Sequence, residues 1–188
     1  MEFTKLPGPL PASWLPDAPM KLVVCHWTAG GYDVSDHDLE AYHFVIDGAG
    51  VPHRGTFSVL DNVENLVWEP RNYAAHAKGT NSNSIGISVC CMKDAIEEPF
   101  DPGEAPMLES QWDVMVAAIA QMCLRYNIEV TPKTVLGHGE VQENLGNPQD
   151  GKWDPMCLPW QPELSKEEVG ELLRSQVVRE MWRQKTGV

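Results

Sequence analysis

An α/β domain, a mixed β-sheet flanked by helices, is the fold class that three observations predict. Short apolar runs at residues 21–26, 84–90 and 134–138 have the length and composition of buried strands. Trp112, Val116, Ile119, Cys123 and Tyr126 recur every three or four residues, the spacing of a helix with one buried face. A second helix opens at Ser165, with Glu168 placed to close a capping box and Leu164 to staple onto Val169. Strands interleaved with helices predict a layered sheet covered by helices.

The remaining elements follow in order. Residues 1–20 carry Pro7, Pro9, Pro11, Pro16 and Pro19 and read as an extended arm laid on the surface, ahead of a single domain spanning 21–188. Residues 36–40 suit a short helix. Residues 42–47 are strand-like, and Gly48-Ala49-Gly50 closes them into a hairpin with 51–57. Residues 97–106 form an acid- and proline-rich loop, after which Ser110 and Asp113 resemble the capping box of the periodic helix. Residues 142–157 read as one long polar loop, and such a loop in a compact domain is usually functional or disordered. The core of the domain covers about 21–160 and the last helix about 165–185. The basic residues of that helix, Arg174, Arg179, Arg183 and Lys185, read as a solvated face beside Glu171 and Glu180.

The chain has 188 residues and a formal net charge of −13, which argues against nucleic acid as a partner because phosphates demand basic contacts. The same charge argues against adsorption to anionic membranes or polymers, so any such partner would have to be recognised by specific contacts. No apolar run is long enough to span a membrane. The N-terminus lacks the basic and apolar regions of a secretory signal, so synthesis in the cytoplasm is the expectation, with any action outside it following release or delivery; a monomer is expected. Five cysteines, an odd number without framework spacing, read as reduced thiols.

Two histidines stand at the ends of apolar strands, His26 after Val23-Val24-Cys25 and His138 after Val135-Leu136-Gly137. Asp154 follows His138 within the polar loop. Two neutral imidazoles and a carboxylate leave a fourth zinc position open, as catalytic sites require. Spacing alone carries this weakly, since a histidine at a strand end is more often structural.

Five stretches in order add to it: His26-Trp27-Thr28-Ala29-Gly30, Tyr42-His43-Phe44-Val45-Ile46, His76-Ala77-Lys78-Gly79-Thr80-Asn81-Ser82-Asn83-Ser84-Ile85-Gly86, Gly137-His138-Gly139-Glu140-Val141 and Lys152-Trp153-Asp154-Pro155. Together they resemble the zinc N-acetylmuramoyl-L-alanine amidase family, which includes phage amidase lysozymes, cytoplasmic muropeptide-recycling amidases and animal peptidoglycan recognition proteins.

The resemblance implies a mixed sheet with Zn2+ at one end of a groove, held by His26, His138 and Asp154, with Cys157 the rival for the third position. It implies hydrolysis of the amide between N-acetylmuramic acid and L-alanine, on peptidoglycan or a muropeptide. Lys152 matches the lysine that faces the developing oxyanion, and Tyr42 the tyrosine that meets the attacking water or the substrate. Some relatives carry a glutamate base where this chain has Ser88, a departure that leaves the proton acceptor open.

His76 reads either as a substrate contact or as a surface histidine, and Glu140 either as a carboxylate orienting a ligand or as a solvated loop acid. Trp153 would pack on substrate or anchor a lid. His43 alternates with Tyr42, faces the opposite side and is structural; His37 and His53 are surface residues. Residues 144–151 look like an insertion, and the segment between Gly31 and Tyr42 is shorter than the family's usual. A phage or prophage endolysin or an antibacterial effector is the leading setting. A cytosolic recycling amidase and a non-catalytic wall-binding module are the alternatives.

Overall fold

The computed structural model describes residues 8–187; Pro7 and the rest of 1–7 lie outside them. Among the described residues, five strands form one mixed sheet: β1 (Leu22–Trp27), β2 (Phe44–Ile46), β3 (Pro52–Arg54), β4 (Ser84–Val89) and β5 (Val135–Gly137), in the order β3-β2-β4-β1-β5. Four run parallel; β3 alone is antiparallel, on β2. The helices are α1 (Asp36–Ala41), α2 (Glu109–Tyr126), α3 (His138–Leu145) and α4 (Lys166–Thr186).

The central strands β1 and β4 are buried almost throughout, because parallel strands covered on both faces have no solvent side to alternate with. Alternation survives in what each face meets. Val23, Cys25 and Trp27 of β1, Ile85, Ile87 and Val89 of β4, and Phe44 and Ile46 of β2 join the main core under α2 and α4. Val24 turns the other way, into a small cluster with Ala77, Leu136 and Val141, and His26 follows it by the two-residue period.

Several local readings change. The arm is no loose surface strap: Leu10, Leu15 and Met20 are buried in the main core. Gln121 on α2 clasps both backbone groups of Leu10, and Arg125 and Tyr126 donate to the carbonyls of Leu15 and Pro16. The cap of α2 is Leu108, whose amide donates to Gln111 Oε1, so Ser110 lies inside the first turn. The polar loop begins later than its composition suggests, because α3 runs to Leu145 and ends at Gly146 in the left-handed region. The Ser165–Glu168 capping box forms as the sequence predicts. All five cysteines are free thiols.

Arg174 is not on a solvated face. It is half-buried against the buried Glu140, Nη1 lying 2.9 Å from Oε1 and 3.2 Å from Oε2. This also replaces both readings of Glu140: its second bond is from the Gly137 amide, at 2.9 Å, and not to an imidazole.

His43 and Tyr42 do not obey strand alternation, because Tyr42 lies before β2 as the C-terminal cap of α1. Both rings therefore sit on the His26 side of the sheet, at 5.8 Å from His76 and 4.9 Å from His26 respectively. His43 remains a structural residue, its Nδ1 accepting the Gly86 amide at 2.9 Å. Burial lowers its pKa from 6.5 to about 4. The unfolded chain then binds a proton that the folded chain refuses, so stability falls as pH drops below 6.5 and levels off near 4. From this residue the loss between pH 7 and pH 4.5 is roughly 2–3 kcal/mol. Urea titrations at both pH values should show a shallower loss in His43→Gln; an equal slope in both proteins would refute the assignment.

Candidate active site

Three separated parts of the chain meet at the C-terminal ends of β1 and β5. His26 is the penultimate residue of β1, and His138 is the first residue of α3, directly after β5. Asp154 comes from the loop after α3, fastened by the Gly139 amide donating to its carbonyl at 2.8 Å. Met156 of this loop packs where a Gly137 side chain would stand, and Trp153 sets its ring edge-on to Trp27 at 4.6 Å. Gly137 and Gly139 thus allow the loop to lie close enough for its carboxylate to reach the strands.

The donor atoms of His26, His138 and Asp154 all lie within 4.8 Å of one another, and all three residues are buried. His26 Nδ1 is 3.0 Å from Asp154 Oδ2, and His138 Nδ1 is 3.4 Å from Oδ1. Both imidazoles turn the same nitrogen to the shared point. Their other nitrogens are engaged elsewhere: His26 Nε2 lies 3.3 Å from His76 Nδ1, and His138 Nε2 lies 2.8 Å from Gln149 Oε1. Cys157 is half-buried and outside this cluster.

The protonation states suit metal ligation. Burial dominates at His26 and lowers it to about 4, so the imidazole is neutral at pH 7. Burial would raise Asp154, but its contacts with the His138 and His26 rings outweigh it and hold the carboxyl well below its usual range. Neutral nitrogen and ionised oxygen are the forms that donate lone pairs to a cation. Two imidazoles and a carboxylate therefore fit a zinc-type ion by donor chemistry and by convergence.

His76 is buried, not a surface histidine. It can lie over β4 only because Gly86 has no side chain: a Cβ there would fall 2.4 Å from its ring. Ser88 pairs in register with His26, and its buried hydroxyl approaches the Tyr42 phenol without reaching hydrogen-bond geometry. Burial raises the pKa of that phenol well above its ordinary value.

His138 and Asp154 of the cluster line a cleft of about 790 Å³, whereas His26 is fully buried. Tyr42, His76, Lys152 and Trp153 line it too, so the sequence-predicted residues other than Glu140 and His26 share this cavity. Sequence reading missed Trp68 and Arg71, which also line the cleft, and Gln149 beside His138. It also left His37 outside, although this exposed residue stands at the cleft rim. Trp68 is 61% exposed, an aromatic face open to a ligand. Its signal was present, a tryptophan in a segment with no strand or helix to bury it. Gln149 carried none.

Residues 16–157 match the family described as N-acetylmuramoyl-L-alanine amidase. The chain belongs to that family. No curated protein matches this amidase-family chain in sequence. Among solved structures it is similar to the hydrolase AmiA of Staphylococcus aureus, at 13% identity over 88% of this chain and 76% of that one, with a TM-score of 0.53. A mutant form of PlyL is 15% identical over 85% of each chain, with a TM-score of 0.50. The N-acetylmuramoyl-L-alanine amidase LysC of Clostridium intestinale is 16% identical over 85% of this chain and 86% of that one, TM-score 0.47. The first two likenesses place the amidase-family chain in the same α/β fold, a mixed five-stranded sheet flanked by helices.

Proposed function

We propose that this chain is a zinc-dependent amidase that cleaves the amide between N-acetylmuramic acid and L-alanine in peptidoglycan. The observation that carries the reading is the convergence of His26, His138 and Asp154, the last two lining a cleft, in a member of this family. These three residues would hold the ion. Bound Zn2+ supplies a Lewis acid for the scissile carbonyl and a nucleophile at neutral pH.

The chain's own groups do the rest. Asp154 and the two imidazoles would hold the ion beside the cleft that takes the substrate. Lys152, exposed on the cleft wall two residues before Asp154, places a positive charge where the amide oxygen becomes anionic. Tyr42 stays a protonated hydroxyl at working pH and donates to the water or to the substrate. Ser88 cannot act as a carboxylate base, which leaves Tyr42 as the default protein group for proton handling. Arg71 and Lys78 add positive charge along the walls of an otherwise acidic chain, suited to the carboxylates of a stem peptide.

The setting we infer is an endolysin or delivered antibacterial effector that acts on the wall as a monomer. Purified sacculi incubated with the zinc-loaded protein should release new L-alanine amino groups, and a chelator should stop the release. A zinc-loaded, folded preparation that frees none, beside an active reference amidase, would end the proposal. Faster turnover of soluble muropeptides than of intact sacculi would instead favour a recycling role.

A further inference from the structure

The non-ligating nitrogen of a metal-bound histidine decides which tautomer is available and how the ring is aimed. At His138 that nitrogen meets a side chain from the 144–151 segment, for which the reaction itself has no use. Gln149 is 4% exposed, with its Oε1 2.8 Å from His138 Nε2. Its amide cannot be turned over. Gln149 Nε2 donates to the Lys78 carbonyl at 2.8 Å and to the Asn147 carbonyl at 3.0 Å, and carbonyls only accept. The atom facing the imidazole is therefore the oxygen, and the imidazole nitrogen opposite it must carry hydrogen.

We propose that Gln149 is a positioning residue that holds His138 in the Nε2-protonated tautomer and so aims its Nδ1 lone pair at the point shared with His26 and Asp154. This rests on the zinc reading above and adds to it the task of the inserted segment. The segment is built to hold that amide still. The Gln149 backbone amide donates to Gln142 Oε1 on α3, and Asn147 Nδ2 ties the loop to Gly79 and Thr80. The carbonyl of Lys78 thus links the 76–81 wall of the cleft to the ligand through one side chain.

The test is zinc affinity, measured by chelator competition in the full chain for wild type, Gln149→Met and Asn147→Ala. Met keeps the volume and removes the acceptor, whereas Asn147→Ala loosens the loop and leaves the acceptor in place. Partners of this kind typically contribute 10–100-fold in affinity, so Gln149→Met should bind zinc about 10–100-fold more weakly. Asn147→Ala should lose clearly less. Unchanged affinity in Gln149→Met, or equal losses in both variants, would overturn the assignment.

A second measurement needs no variant. Imidazole nitrogen NMR of the zinc-loaded wild type should place the His138 proton on Nε2, with Nδ1 bare. A proton on Nδ1 would overturn the proposal. Absence of zinc binding by wild type would be a different failure, removing the metal reading and this assignment with it.

Discussion

Asp154→Ala is expected to lose zinc binding by more than about 100-fold and to bring amide hydrolysis down to the assay background. The lower bound comes from partners one step removed from a metal, whose loss already costs about 10–100-fold. Removing a ligand removes a charge and a bond together. The fold should survive, since the side chain bonds only His26 and His138, and the loop is held by backbone and packing contacts. Calorimetric zinc titration and amino-group release, both on a variant whose folding is verified by circular dichroism, give the answer. Near-normal turnover would show that Asp154 is not a ligand. If the variant still binds sacculi, its recognition surface is separate from its chemistry; a protein that only binds walls would be unaffected in every assay.

The largest effect on stability is expected at the Glu140–Arg174 pair. Arg174→Met should destabilise the fold by about 3–5 kcal/mol, because it leaves a buried carboxylate with no counter-charge. Against a typical total of about 5–15 kcal/mol, that is a large share. Glu140 is further confined by Gly170, where any Cβ would lie 2.2 Å from its Oε1. Glu140→Gln alone should cost a similar amount, and the double variant less than the sum, since neither charge is then stranded. Arg183→Ala, on the exposed side of α4, should change stability by under about 0.5 kcal/mol. Urea unfolding at pH 7 measures all four. A loss below about 1 kcal/mol in Arg174→Met would contradict the burial argument.

Much of the fold could be read from the sequence because its strongest signals are local. The apolar runs of β1 and β4 and the three-to-four spacing of α2 reflect burial on a regular lattice, and Ser165 with Glu168 needs only four residues to declare a helix start. α3 escaped because His138-Gly139-Glu140 opens it with a histidine and a glycine, and its apolar content is too thin for periodicity. The three candidate ligands were legible by resemblance and only faintly by spacing, since convergence over more than a hundred residues is a property of the folded sheet. Burial of polar groups was the least legible. His76 depends on the missing side chain of Gly86, Arg174 on an acid 34 residues earlier, and Gln149 on two backbone carbonyls; none of these pairings has a sequence period.

The docking of residues 10–20 onto α2 bears on how this fold can be recombined with others. The family likeness begins at residue 16 and the first strand at Leu22, yet Leu10 and Leu15 already fill the space beneath the helix. A fusion joint or truncation drawn at either landmark would cut through the hydrophobic interior and leave Gln121 without the backbone it clasps. Grafting this catalytic unit onto another module therefore calls for a junction upstream of Leu10.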